Sequence, residues 1–415
     1  MFRALRSRNF RLFFLGQGLS LVGTWMQRVA MGWLIYRLTR SPEALGTVDF
    51  VSQIAVLLLV FLSGAAADRA DLRTLLLWTQ GLAMVQAAVL AALTLTGTIT
   101  YGAILVCGVF LGVVNAFDMP ARQAFVVRMV EDRSDLGNAI ALNSSLFNLA
   151  RLVGPSLAGM AIALLGEGIC FLMNALSFLG VIAALRAMRP RAEPERPRAD
   201  RGGLGIREGW AYAWRTPRIR ASLLMLTLLS LFGMPYIVLM PVFAREVLRG
   251  GPATLGFLLA ATGAGALAGA LLLAARKDAR GLRGIIVLSA GLLALALLGL
   301  ALVRSPLPAY LLVALAGLGM IGATASCNTA IQTIVEDAYR GRVMSLYTLS
   351  LLGMAPFGSL MNGRIAERWG ISATLGLGGA VCLIGGILFL LRTGRRPTPP
   401  RGAGRDARSG VGLRP

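Results

Sequence analysis

A permanently charged guanidinium, Arg151, stands inside the apolar stretch LFNLARLVGPSLAGM (residues 146–160), and a Gly154–Pro155 pair follows it. At 1.5 Å per residue it lies about 20 Å into a helix starting near residue 138, beyond the reach of snorkelling. An arginine so placed is costly unless it meets a wet cavity or a partner. Asn148 and Pro155 share its helical face, with Asn143 and Ser144 two turns back. Two roles fit. Arg151 lines a cavity, where it binds anionic or carbonyl-bearing ligands or sets the charge of a carboxylate; or it donates to carbonyls that the proline frees. Moving a proton needs a titratable group, and the chain has no histidine, so carboxylates remain. Nearly all of the 19 fall between apolar blocks; Asp49, in LGTVDFVSQIAVLLL with Gln53 at i+4, does not. Arg28 sits in the preceding block, so the two could pair across a short hairpin. That pair is either a proton-coupling site or a static ion pair. Trp25, Gln27 and Tyr236 could line a pocket for a bulky aromatic molecule, although aromatics in such helices also serve packing.

The elements that must position these residues are long apolar blocks. The chain of 415 residues is 56% hydrophobic and only 14% charged, against about a quarter charged in a soluble domain. Its mean hydropathy is +0.71. Twelve blocks have the length of a helix crossing a bilayer: 11–36, 44–66, 75–95, 101–117, 138–165, 169–186, 221–242, 254–275, 284–303, 308–328, 343–362 and 371–391. The expected fold class is an all-α integral membrane protein. The first block has no small-residue cleavage site and reads as a retained span.

A net charge of +22 would suggest nucleic acid in a soluble chain, but its placement argues against that. With the N-terminus cytoplasmic, 32 of the Lys and Arg residues fall on the inner side, 7 on the outer side and two (Arg28 and Arg151) within spans. That asymmetry places both termini in the cytoplasm. The four cysteines lie in apolar blocks without CxxC spacing, so neither a metal site, a cofactor nor a disulfide is expected.

Residues 187–220 divide the spans six and six. MRPRAEPERPRADRGG reads as a flexible linker, and LGIREGWAYAWRTP as a short interfacial helix with Trp210 and Trp214 at headgroup level. The halves, 1–186 and 221–391, resemble each other. LSLVG (19–23) recurs as LSLFG (229–233); Tyr101, Gly108, Ala121 and Gln123 recur as Tyr310, Gly317, Ala330 and Gln332; VED recurs at 130–132 and 335–337. Such order at nearly constant offset argues for a duplicated six-helix unit. Parallel repeats about an axis normal to the membrane are one way to build a transporter, with its site between the halves. The basic tail, 392–415, lacks an apolar face and should be disordered, with its arginines near anionic lipid.

The stretch GAAADRADLR (64–73) resembles the loop signature of the major facilitator superfamily: Gly64, Asp68, Arg69 and Arg73 match, while Asp71 and Leu72 depart from it. Further stretches, TWMQRVAMGWLIYRLT (24–39), NAFDMPARQAFVVRMV (115–130) and NLARLVGPSLAG (148–159), are similar to the enterobactin-exporter-like branch of siderophore and drug exporters. The resemblance covers all twelve spans. It implies two pseudo-symmetric six-helix bundles and proton-driven export of medium-sized amphipathic molecules from a bacterial cytoplasm, by a monomer in the inner membrane. It also implies that the 64–73 loop latches the eleventh span, although its basic residues could serve topology alone. Gly154, Pro155 and Gly159 resemble the antiporter motif of the fifth span, which would kink and seal the helix against leak. Asp118, Arg122, Glu131 and Asp132 in one half, and Glu336, Asp337, Arg340 and Arg342 in the other, then suit a cytoplasmic gate, or are ordinary loop charges. An importer and a non-transporting receptor or assembly protein are the rival functions. An enzyme is disfavoured, since no nucleophile–base pair or ATP-binding loop is present.

Overall fold

The computed structural model describes residues 3–129, 135–188, 206–276 and 281–393, which form helices and short connections. The linker 189–205, the tail 394–415, Glu131 and Asp132 lie outside the described residues. Ten helical segments are long and apolar enough to cross a membrane. One of them, Asp337–Thr393, turns at Gly370, where φ is 80° and ψ is 161°, so it holds two spans, 340–369 and 371–393. The first helix, Arg8–Thr39, has ample length but carries four arginines, which lower its hydropathy. With it the described chain has the twelve spans that the apolar blocks predict.

The second to sixth spans are Pro42–Arg69, Leu72–Leu95, Tyr101–Met129, Leu136–Leu165 and Glu167–Ala187. The seventh to tenth are Pro217–Val247, Pro252–Ala274, Leu282–Leu302 and Pro306–Ile334. Proline opens four of them, where its missing N–H costs nothing. Asp71, which stands where the loop signature has glycine, caps the third span by accepting from the Thr74 backbone N–H at 2.9 Å. The fourth block, 101–117, is short enough that a run on to Pro120 was open; the helix passes through Pro120 and ends at Met129. The seventh is irregular: wide turns at Leu229–Gly233 and Phe243–Val247 flank a tight turn at Pro235–Ile237. Pro235 and Pro241 each withdraw a backbone donor there, which accounts for the irregularity.

The twofold repeat is visible in contacts as well as in sequence. Gly46 of the second span abuts the eleventh, where an added side chain would collide with the Ser359 carbonyl oxygen. Gly256 of the eighth span abuts the fifth, where an added side chain would stand 2.6 Å from the Pro155 carbonyl oxygen. Gly363 and Gly159 close the same contacts from the other side, against Pro42 and Pro252. Arg73, at the start of the third span, donates to the carbonyls of Leu185 and Arg186 at the end of the sixth. Arg283, at the start of the ninth, donates to the Leu390 carbonyl and Thr393 hydroxyl at the end of the twelfth. A cation at a helix C-terminus offsets the partial negative charge there.

The helix Ile206–Arg215 precedes the seventh span. Trp210 and Trp214 stack on its exposed side, with ring centroids 5.3 Å apart. Its other side docks on the turn between the tenth and eleventh spans, where Tyr212 stacks on Tyr339 at 4.3 Å.

Candidate functional site

The close contacts across the two bundles run along residues 42–57 of the second span and 151–159 of the fifth. Both stretches lie towards the end of the molecule away from the chain termini. Tyr36 donates a short hydrogen bond to Glu246 there. The Arg364 guanidinium meets Glu43 at 2.8 Å, and Ser41 donates to Glu367 at 2.6 Å. Each of these bonds joins one bundle to the other, so this end is closed. Among the described residues no comparable set joins the bundles at the end where the termini lie.

Asp49 sits in this seam about 10 Å below the start of the second span. Its Oδ2 accepts from Gln53 Nε2 and from Ser359 Oγ of the eleventh span, each at 2.5 Å. The direct Asp49–Arg28 pair drawn from the sequence is not formed. The carboxylate turns towards the opposite bundle, and Arg28 remains close enough only for electrostatic influence. Phe50 and Phe357 stack edge to face beside it at 5.6 Å.

Arg28 instead lies over the Trp25 ring, its Cζ 5.0 Å from the centroid. Arg151 approaches the same ring to 6.0 Å. The fifth span brings it there because Gly154 lets that helix press on the first: a side chain at 154 would stand 2.5 Å from Trp25 Cβ. The helix Leu136–Leu165 runs unbroken across Pro155. The carbonyl that Pro155 frees is that of Arg151 itself, and it faces Gly263 of the eighth span. Arg151 makes no hydrogen bond to freed carbonyls among the described residues, so the cavity-facing role remains. Tyr236, across the bundles, is its electrostatic neighbour. The Tyr236 hydroxyl is buried beside Thr262 of the eighth span. Asn143 and Asn148 are half-buried nearer the open end, and Asn148 donates to the Ser144 carbonyl at 2.9 Å.

Other sequence-derived candidates belong elsewhere. Gln27 faces the interior of its own bundle rather than a cavity. It donates to Gln86 and accepts from Asn174, a buried network that satisfies both ends of its amide. Asp118 was expected among loop charges at a gate. It is buried, accepting from Thr79, Gln80 and Arg122, and so ties the third span to the fourth. Of the second gate cluster, Asp337 pairs locally with Arg340. Arg342 reaches Glu208 at 3.9 Å, and the Glu336 N–H meets the Tyr212 hydroxyl, so this cluster holds the interfacial helix. Gly64 has open space around it, and Arg73 serves the sixth span as described. Asp68 and Arg69 end the second helix, but their side chains lie outside what is described.

Sequence reasoning did not find Ser359, Glu43, Glu246, Arg364 or Glu367. The signal available was three carboxylates at span ends on the side poor in basic residues, together with Ser359 in an otherwise apolar run.

The comparisons agree with this architecture. A family model described as transmembrane secretion effector matches residues 1–397. The staphyloferrin A transporter of Staphylococcus aureus is 26% identical over 395 residues, covering 92% of this chain and 96% of that one. The multidrug efflux pump Tap of Mycolicibacterium fortuitum is 27% identical over 379 residues, covering 89% and 92%. A bacterial homologue of the iron transporter ferroportin, solved in an inward-facing state, superposes with a TM-score of 0.72 at 16% identity, covering 94% of this chain and 99% of that one. A bacterial homologue of the lysosomal transporter Spinster gives 0.73 at 13% identity, covering 94% and 97%.

Proposed function

Because the chain belongs to the transmembrane secretion effector family of major facilitator transporters, we propose that it exports amphipathic small molecules across the bacterial inner membrane by proton antiport. The observation that carries the coupling is the hydrogen bond from Ser359 to Asp49. Unlike the carboxylates held across the bundles at the outer span ends, Asp49 is held by the other bundle about 10 Å along its helix, inside the glycine seam. The repeat sharpens this. The matching contact between the eighth and fifth spans has Leu259 and Pro155 at the positions of Asp49 and Ser359, so the ionisable seam is confined to one side. Protonating Asp49 removes the negative charge that the two donors stabilise, and so loosens the seam.

Positive charge concentrated at the terminal end makes that end cytoplasmic, and the closed end periplasmic. The structure then corresponds to an inward-open state that collects substrate from the cytoplasm. Export and substrate type are supported by the efflux pump and the siderophore transporter among its relatives. The sealing role of Gly154, Pro155 and Gly159 fits the close fifth–eighth contact, which leaves no width for a leak. The chain would work as a monomer whose interfacial tryptophans rest in lipid.

The test is proton movement in acid-loaded everted vesicles as siderophores and drugs are added, with Asp49→Asn alongside. Proton release that depends on both ligand and Asp49 supports the reading. Ligand-driven uptake in intact cells would reverse the direction, and transport indifferent to the proton gradient would remove the antiport.

A further inference from the structure

Arg28 and Arg151 form a cationic pair that the protein neutralises only in part. Arg28 is exposed, although it lies about 16 Å from the nearer end of its helix. Arg151 lies near the middle of a 30-residue helix. Neither makes an ion pair or a hydrogen bond among the described residues. Exposure at that depth could mean lipid, but both guanidinium groups converge on Trp25, and their electrostatic neighbours are Asp49 and Tyr236 at the seam. They therefore face the space between the bundles. Asp49 is their nearby carboxylate, and its Oδ2 is already engaged by Gln53 and Ser359.

Two guanidinium groups against one bound carboxylate leave a net positive site inside the membrane. Trp25 offsets part of their cost, since the face of an indole attracts a cation. Each group keeps planar paired donors free, the arrangement that binds carboxylates through two parallel hydrogen bonds. Both Cζ atoms lie within 6.0 Å of one ring centroid, which bounds their separation at twice that distance.

We infer that the substrate of this transporter is an organic dianion, whose two anionic groups are received by Arg28 and Arg151 beside Trp25. This deepens the transport reading and rests on it for the word substrate; the binding site itself does not depend on coupling or direction. The consequence is charge selection, with anionic amphiphiles accepted and cationic ones refused by the like charge.

The test is equilibrium binding to the purified full chain in nanodiscs of zwitterionic lipid. The probes are fluorescein, a dianion in mild alkali, and rhodamine 6G, a cation on the same ring system, both followed by fluorescence anisotropy. Fluorescein should bind, and Arg28→Gln and Arg151→Gln should each weaken it about tenfold or more, as expected for the loss of a charged partner. Arg28→Lys and Arg151→Lys, which keep charge but lose the paired donors, should fall between, which shows that the fold survives substitution. Rhodamine 6G should bind no more than to empty nanodiscs, and should gain affinity in the double Gln variant. Rhodamine preferred by the unaltered protein, fluorescein binding untouched by both Gln changes, or no binding of either dye would each overturn the assignment. Fluorescein binding without proton-linked movement in vesicles would instead overturn the transport reading and leave this site standing.

Discussion

Asp49 and Gln27 are both polar residues in apolar helices, yet they have opposite roles. In a soluble helix the polar face marks the solvent side, but a membrane span is apolar towards lipid and towards its neighbours alike. A polar residue there meets either the cavity or the interior of its own bundle, and the sequence pattern does not separate the two. Gln27 and Asp118 were therefore read as cavity or gate residues and are bundle fasteners, while Asp49 was recognised but given the wrong partner. Arg28 is near it in sequence; Ser359 is 310 residues away. The difference has a measurable consequence. Asp49→Asn mimics the protonated seam, so ligand-driven proton movement in vesicles should fall about tenfold or more. Fluorescein binding, which rests on the arginines, should change by less than about threefold. Ser359→Ala removes a hydrogen bond to a charged group worth about 1.5–3 kcal/mol, and should move the protein towards the outward-open form without abolishing proton coupling. Equal proton movement in Asp49→Asn and the unaltered protein would place the coupling group elsewhere.

At the scale of the helices, the span count was legible because bilayer thickness sets a length that composition reveals. The duplication was legible because matched residues keep a constant offset. The contacts between halves were not, since the second span meets the eleventh and the eighth meets the fifth, pairs that no offset connects. Gly46 and Gly256 are repeat mates, yet each touches the other's half. Their closeness predicts that Gly46→Val and Gly256→Val each force the seam apart. Overpacking of this kind costs about 1–3 kcal/mol, enough to shift the balance of the two states about 5- to 150-fold. Electron–electron resonance between spin labels at the exposed Thr96 and Leu307 would show a longer distance population in both variants. An unchanged distribution would mean that the helices tolerate the added volume. The paired caps make a second forecast. Arg73→Ala and Arg283→Ala should each lose about 1 kcal/mol, seen as similar decreases in the thermal midpoint in detergent, because each removes the same helix-end bond in its own half. A decrease in one variant alone would mean that the two halves have diverged at this position.

For the whole molecule, the proposed function makes the seam, the cationic pair and the closed end one state of a cycle. Closure at the end away from the termini uses three polar links between the bundles: Tyr36 with Glu246, Glu43 with Arg364, and Ser41 with Glu367. Exposed ion pairs contribute little one at a time, about 0–1 kcal/mol, so this end is a weak latch over a tight glycine seam and can reopen on each turnover. Making the latch covalent separates a resting shape from a working intermediate. Ser41 Oγ and Glu367 Oε2 are 2.6 Å apart, so cysteines at these positions would be separated by about the lost length of the glutamate side chain, and the four native cysteines are buried without disulfides and would give little background. The double variant Ser41→Cys with Glu367→Cys should be bridged by a short bis-methanethiosulfonate reagent, which would hold the bundles together at this end and stop turnover, and reduction should restore transport. Fluorescein binding should survive the cross-link, since the proposed function has Arg28 and Arg151 reached from the opposite, open end. If the cross-link forms, as judged by loss of free thiol, and transport continues, this end does not open during the cycle and alternating access would have to occur elsewhere. If transport and binding are both lost, ligand reaches the arginines from the side assigned here as closed, and the direction of export would have to be reversed.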